Sequence, residues 1–398
     1  MEQVLYKLPD GWDWQTIEEV AQIGADRGFV PTPDSEGNVP FIGMTDIDQE
    51  TGQKSTYELR NFDDVKKGYT KFQRNAVLFA KITPCTENNK TALIDNVDGG
   101  FATTEVFPIH ALDSVEPKYL LHFFRSPSVR RFLIDHMEGA TGRQRVPLKA
   151  LKSVNVPVCG LEEQKRIVEK LDALLTRIDT AIEHLQSKLD LSKQLFESVL
   201  DEFFKLPECD SVPLTEVVDF VGGSQPPKSQ FSDIQKEGYV RLIQIRDYKS
   251  DNHIAYVDSA STKKFCTKDD VMIGRYGPPV FQILRGLDGA YNVALMKAVP
   301  NEDILTKDYL FWFLQSPSIQ NYVIGISQRA AGQSGVNKKA LEKYLIPVPS
   351  KTMQSNIVDK VGQLVSKSRD LEAEVTAESS SLSQLKASIL DSAFKGEL

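Results

Sequence analysis

Shifting the sequence by 190 residues aligns Tyr119–Lys205 with Tyr309–Lys395 without a gap and with 27 identities in 87 positions. Chance would supply on the order of five, so the chain consists of two copies of one unit, and this settles its architecture before any local pattern does. The plainest phrases are "YLLHFFRSPSVRRF" from Tyr119 and "YLFWFLQSPSIQNY" from Tyr309. Upstream the match continues with gaps. Val39–Ile47 resembles Val240–Tyr248 around Asp46 and Asp247, Ala76–Ile82 resembles Asp270–Tyr276, and Gly100–Ile109 resembles Gly289–Ala298. Each copy has a variable first part and a better-kept end. A length of 398 residues with 41% hydrophobic content gives material for more than one core.

The kept ends predict two long helices. From Leu161 to Lys205 there is no proline or glycine. Positions 168, 171, 175, 178, 182, 185, 189, 192, 196, 199 and 203 alternate steps of three and four, and only Ser192 among them is polar, which is a coiled-coil seam. At 1.5 Å per residue that helix is roughly 65 Å long. In the second copy Val361, Leu364, Leu371, Val375, Leu382, Leu385 and Ile389 fit a seam that Ser368 and Glu378 interrupt. Neither stripe can be buried by its own helix, so the two are expected to pair with each other, the alternative being a helix of another chain on each stripe. The variable parts read as short strands separated by turn clusters such as "PTPDSEGN" and "GGSQPPKS", followed by helical pieces around Pro117–Met137 and Thr306–Ile326.

Composition excludes several classes. No run of about 18 apolar residues occurs, so no membrane span is expected, and the N-terminus lacks the basic and apolar regions of a signal peptide. The four cysteines are scattered and lie near no histidine pair, so a zinc site is not expected and reduced thiols in the cytoplasm are. Net charge is −8, yet Arg125, Arg130, Arg131, Arg143, Arg145, Lys149 and Lys152 stand against only Asp135 and Glu138 within one stretch. Such a local basic patch can meet phosphate on one face. Three catalytic motifs fail. "YGPPVF" at Tyr276 has Gly277 and Val280 where an amino-methyltransferase tetrad needs Asn or Asp and an aromatic ring. "VGGSQPPKS" lacks phosphate-loop spacing. Asp46, Asp63, Asp64 and Glu87, with Lys81 nearby, lack nuclease spacing. His122 is replaced by Trp312 in the second copy, which suits packing. No catalytic or metal-ligating residue is assigned.

The order of variable domain, long helix, variable domain, long helix resembles the specificity subunit of type I restriction–modification systems over essentially the whole chain. The phrases that carry it are "LPDGWDWQTIEEVA", "VPFIGMTDI", "VPVCGLEEQKRIVEKLDALLTRID" and "IPVPSKTMQSNIVDKVGQL". At the helix entries Pro157, Glu163, Gln164 and Ile167 match the family pattern, as do Pro347, Pro349, Gln354 and Ile357, with Cys159 and Met353 departing from it. The resemblance implies an α+β fold: two homologous mixed α/β target recognition domains separated by two long helices that form an antiparallel coiled coil, a pseudo-twofold internal repeat. The expected division is residues 1–155, a first recognition domain; 156–205, a first conserved helix; 206–348, a second recognition domain; and 349–398, a second conserved helix. It further implies a noncatalytic chain without a cofactor of its own. Each head reads one half of a split double-stranded DNA target, and the helices set the unread gap. The helices also carry two methylation subunits that use S-adenosylmethionine, and through them restriction subunits that use ATP and Mg. The competing reading is a coiled-coil assembly scaffold that reads no DNA.

Base edges are read by Arg on guanine and by Asn or Gln on adenine, whereas Lys and Arg on phosphate set the register. Arg143, Gln144 and Arg145 in "TGRQRVP" are therefore candidate readers, matched by Gln333, Ser334 and Gly335 in "AGQSGVN". A loop that merely braces the head is the alternative. Lys149 with Lys339, and Arg130 or Arg131, are candidate phosphate contacts; Gln328, Arg329 and Lys338 complete the set in the second copy. Glu162, Lys165, Arg166, Glu169 and Asp172 face away from the seam, either as a docking face for the methylation subunits or as a solvated surface.

Overall fold

The computed structural model describes residues 3, 5–52, 56–277, 279–327 and 335–398. Two compact units emerge, Met1–Leu185 with Thr376–Leu398, and Gln186–Val375. Each unit thus contains a variable head, the start of the helix that follows it and the end of the other long helix.

Unit one runs β1 (Asp13–Thr16), α1 (Ile17–Val20), β2 (Ala21–Ile23), β3 (Asn38–Ile42), β4 (Glu58–Asn61), α2 (Phe62–Val65), β5 (Thr70–Gln73), β6 (Ala76–Ala80), β7 (Thr91–Ile94), β8 (Gly99–Ala102) and β9 (Val106–Ala111). There follow α3 (Pro117–Arg125), α4 (Pro127–Asp135), α5 (Leu148–Lys152), β10 (Asn155–Val158) and α6 (Leu161–Phe203), the last reaching into unit two. One sheet has the order β2-β9-β6-β7 and a second β4-β3-β8-β5, while β1 pairs with β10. Every residue of β6 is buried because strands flank it on both sides and α3 covers a face, with Phe79 and Phe124 in ring contact at 5.6 Å.

Unit two repeats the plan. After α6 come β11 (Ser211–Pro213), α7 (Leu214–Val217), β12 (Val218–Gly222), β13 (Tyr239–Ile243), β14 (Tyr256–Asp258), β15 (Phe265–Cys266), β16 (Val271–Gly274), β17 (Gln282–Leu284), β18 (Gly289–Tyr291) and β19 (Leu295–Pro300). Then follow α8 (Lys307–Phe313), α9 (Pro317–Ser327), α10 (Lys338–Glu342), β20 (Leu345–Pro347) and α11 (Lys351–Ala393). The sheets are β12-β19-β16-β17 and β14-β13-β18-β15, with β11 on β20.

The repeated phrase is a scaffold. Its Ser-Pro-Ser turn breaks what the sequence suggests as one helical piece into two in each unit, because Pro127 and Pro317 start α4 and α9 where a missing N–H costs nothing. Ser126 Oγ meanwhile donates to the Phe123 carbonyl at the end of α3, 2.7 Å. Ser128 Oγ donates to Asp391 near the end of α11 (2.8 Å), and in unit two Ser318 Oγ donates to Asp201 near the end of α6 (2.8 Å). Tyr119 donates to the Pro157 carbonyl and Tyr309 to the Pro347 carbonyl, at 2.7 and 3.0 Å. Phe394 packs edge-on against Tyr119 and Phe123, as Phe204 does against Tyr309 and Phe313. Burying each such ring contributes about 1.5–3 kcal/mol.

The glutamines of the two helix entries act as clamps. Gln164 is fully buried; its Nε2 donates to the Ser114 and Cys159 carbonyls (3.0 and 2.8 Å), and its Oε1 accepts from the Glu116 N–H at 2.9 Å. Gln354 repeats this with the Ile304 and Pro349 carbonyls and the Thr306 N–H. One amide thereby ties the start of a long helix to the loop that leads into the aromatic helix.

Within unit one the start of α6 lies against the end of α11, with Ile167, Val168, Leu171 and Leu175 in the same core as Leu390 and Ala393. Within unit two Leu200 shares a core with Ile357 and Val361. The expected α6 seam is buried from Val168 to Ile178 and half-buried beyond, and near its end Leu200 and Phe204 are buried where Val199 and Phe203 were expected. The α11 seam differs in one place: Leu385 is 49% exposed, and Lys386 occupies the seam instead, its Nζ 2.6 Å from Asp179. Asp172 is also not a free outward charge, since it accepts from Lys118 (3.2 Å) and pairs with the buried His122 (2.9 Å), joining α6 to its own head. Glu162 pairs with Lys165, and Glu163 with Arg166, along the exposed face.

Candidate nucleic-acid interface

In unit one the loop between α4 and α5 is a closed hairpin. Glu138 and Arg145 exchange backbone hydrogen bonds of 2.9 and 2.8 Å, and Gly139 and Gly142 supply the positive φ values of its tip, +122° and +80°. Its return arm lies beside the residues that leave β6: the Thr83 N–H donates to the Gln144 carbonyl (3.0 Å) and the Val146 N–H to the Lys81 carbonyl (2.7 Å). Gln144 is half-buried by this contact, and Arg143 stands exposed at the tip.

Arg145 is already engaged. Its Nε and Nη2 donate to the two oxygens of Glu105, at 2.9 and 2.8 Å, in a bidentate pair. Those hydrogen bonds hold the Glu105 carboxyl below its usual range. Lys81 lies over the Phe107 ring, 4.7 Å from its centre. Burial pulls the Lys81 ammonium down, Glu105 opposes that, and Arg145 adds to it. The loop therefore presents Arg143 outward, with a fixed cluster of Arg145, Glu105 and Lys81 below.

The remaining basic candidates separate. Lys149 is exposed on α5, while Lys152 is paired with Glu18 at 2.6 Å. Arg130 and Arg131 lie on α4, at its junction with the end of α11. Arg130 is half-buried there, its burial lowering its pKa against the attraction of Asp391, and Arg131 lines a cleft with Phe132 and Asp391. Arg125 leaves the surface patch altogether. Its guanidinium is buried and donates to the carbonyls of Gln49, Glu50, Asn89 and Thr91, and burial takes its pKa down to about 10. Gly52 makes room for it: at φ +70°, a Cβ there would sit 2.5 Å from the Thr91 oxygen and 2.7 Å from Arg125 Nη1.

In unit two Gln328, Arg329, Gln333 and Ser334 lie outside the described residues. The root of that loop is described and repeats unit one. The Val336 N–H donates to the Arg275 carbonyl at 3.0 Å, and Tyr276 bridges Gly335 as Ile82 bridges Arg145. Arg275 packs on the Tyr276 ring, so a basic side chain lies beneath the loop in both units. Lys338 pairs with Glu342 at 3.5 Å, and Lys339 is exposed. Glu105 was not legible as a partner of Arg145 from sequence, but the repeat held a signal: Ala294 and Gly335 stand at the two matching positions, so both charges are absent together. Among the described residues no three His, Cys, Asp or Glu side chains gather as a metal site, and no helix is long and apolar enough to cross a membrane.

The model of the type I restriction modification DNA specificity domain matches this chain twice, over residues 9–190 and 208–378. The chain belongs to that family. As a type I specificity-domain protein it is 33% identical over 202 residues to the EcoAI specificity subunit of Escherichia coli, a match covering 50% of this chain and 34% of that one. It is 25% identical to the EcoBI specificity subunit of Escherichia coli over 99% of this chain and 88% of that one. The chain thus spans about a third of the length of the EcoAI relative. A chain solved in work on complex assembly and conformational transition of the type I R-M system superposes with a TM-score of 0.79 at 24% identity, covering 99% of this chain and 100% of that one. The HsdS subunit of Thermoanaerobacter tengcongensis superposes at 0.59 and 23%, covering 100% of both. These likenesses give a specificity-domain chain the same α+β fold with two heads and two long helices.

Proposed function

We propose that this chain is the noncatalytic DNA specificity subunit of a type I restriction–modification complex, each head reading one half of a bipartite target. The observation that carries the reading is the contrast inside the repeat. The residues that seat a head on its helices recur at matching positions, Tyr119 with Tyr309, Gln164 with Gln354, Phe394 with Phe204. The loop residues at matching sequence positions differ, Arg143, Gln144 and Arg145 against Gln333, Ser334 and Gly335. A scaffold without a reading role would have no use for two kept seats carrying two different tips.

In this reading Arg143 and Gln144, with Gln333, Ser334, Gln328 and Arg329, face base edges, and Lys149, Lys338 and Lys339 face phosphate. Arg145 contributes what its pair with Glu105 leaves free. The paired helices set the unread gap and dock two methylation subunits in the cytoplasm, restriction subunits joining through them. S-adenosylmethionine, ATP and Mg serve those partners. The test is a methylation map: the chain is expressed with its methylation subunit in a host lacking adenine methylation, and N6-methyladenine is located by long-read sequencing. A split motif with an invariant gap is expected. A well-formed complex that methylates nothing would favour the plain scaffold.

A further inference from the structure

We infer that the second head reads its half-site chiefly from an open cleft of about 1040 Å³ that lies outside the loop between α9 and α10, with Gln244 and Arg246 as the base-contacting residues. The inference rests on the DNA-recognition reading above and supplies residues for it. Three segments form the cleft: the "GGSQPPKS" loop with Gln225 and Lys228, the turn after β13 with Gln244 and Arg246, and the approach to β14 with Asn252 and His253.

The turn after β13 is closed by its own aspartate and leaves Arg246 exposed and Gln244 half-buried. Asp247 is buried, and its Oδ2 accepts from the Gln244 N–H at 2.9 Å. Unit one builds the same turn after β3, where Asp46 Oδ2 accepts from the Gly43 N–H at 2.8 Å. The anchoring carboxylate is kept, while the positions beside it change from Gly43 and Thr45 to Gln244 and Arg246. The frame is constant between the units, and the residues beside the aspartate differ in chemistry. The side chains that appear are those suited to base edges, an amide for adenine and a guanidinium for guanine.

The second oxygen of Asp247 is buried without a hydrogen-bond partner and lies 3.9 Å from Arg246 Nε. The buried carboxylate lies near the guanidinium, and the Arg246 side chain stays 57% exposed. Two acids, Asp233 and Asp251, also line the cleft, and Arg241 donates to one Asp251 oxygen at 2.8 Å. Lys228 is placed for phosphate, and Gln225 and Asn252 add further amides to the walls.

The full chain, expressed with its methylation subunit, is compared as wild type, Arg246→Ala, Arg246→Lys and Gln244→Ala by methylation mapping. Loss of one bidentate base contact corresponds to a roughly ten- to hundredfold fall in discrimination at that base pair. Each alanine variant is expected to relax one or two positions in one half of the motif and to leave the other half and the gap intact, with Arg246→Lys relaxed at the same position. Unchanged motifs in both alanine variants would overturn the cleft assignment while the recognition reading stood. Should Arg246→Ala methylate nothing, competition between duplexes carrying the true and a scrambled second half decides: lost discrimination supports the cleft, and retained discrimination overturns it. A wild type without any split motif would sink the recognition reading, and this inference with it.

Discussion

A single buried amide decides how firmly each head is seated. Gln354 satisfies two carbonyls and one N–H at that helix entry. Replacing it by leucine keeps the volume but strands all three groups, each costing about 1–3 kcal/mol when buried and unpaired. Gln354→Leu is therefore expected to destabilise unit two by at least about 2 kcal/mol. Trp312, which belongs to that unit, reports its unfolding by fluorescence in urea, with Trp12 and Trp14 belonging to unit one. An unchanged midpoint would mean that the amide is dispensable. The sequence showed this residue as part of a motif and nothing more, because its role depends on an N–H and a carbonyl 48 and 50 residues upstream.

Elements were legible where the residues left no choice. The α6 seam could be read because apolar residues occupy nearly every third or fourth position, and the structure buries its first four, Val168, Leu171, Leu175 and Ile178, and half-buries the rest. The stretch from Thr376 to Ser383 in α11 is mostly small and polar, with only Leu382 to set the phase. Leu385 looked like the next seam residue, yet the helix turns Lys386 inward to meet Asp179. Arg143 was legible as an exposed polar side chain; the cleft of the second head was not, since its walls come from three segments without a shared pattern. The Lys386–Asp179 pair, with side chains 21% and 24% exposed, yields its own prediction. A partly buried ion pair can often be exchanged for apolar residues at no loss, whereas removing one partner strands the other. Lys386→Leu or Asp179→Leu alone is expected to destabilise unit one by roughly 1–3 kcal/mol, and the double variant to recover most of it. A double-mutant cycle measured by urea unfolding checks this; additive losses would show that the pair makes no contribution of its own.

At the scale of the whole chain, the repeat implies that the two heads are interchangeable at their seats. Gln164, Asp391 and Phe394 contact backbone, a serine hydroxyl and aromatic rings in unit one, and the second head brings the matching groups: the Ile304 carbonyl and Thr306 N–H, Ser318, and the Tyr309 and Phe313 rings. Replacing residues 1–155 by the second head, ending at the position that matches residue 155, should therefore give a chain whose seats are all filled. If the heads read DNA, that chain carries one specificity twice. Its methylation map is expected to show the second half-site at both ends of the motif and no trace of the first. A soluble complex that still methylates the original two halves would locate specificity outside the heads. A complex that fails to form would show that the kept residues are insufficient to seat a head, and purification with the methylation subunit separates that outcome from a change in specificity.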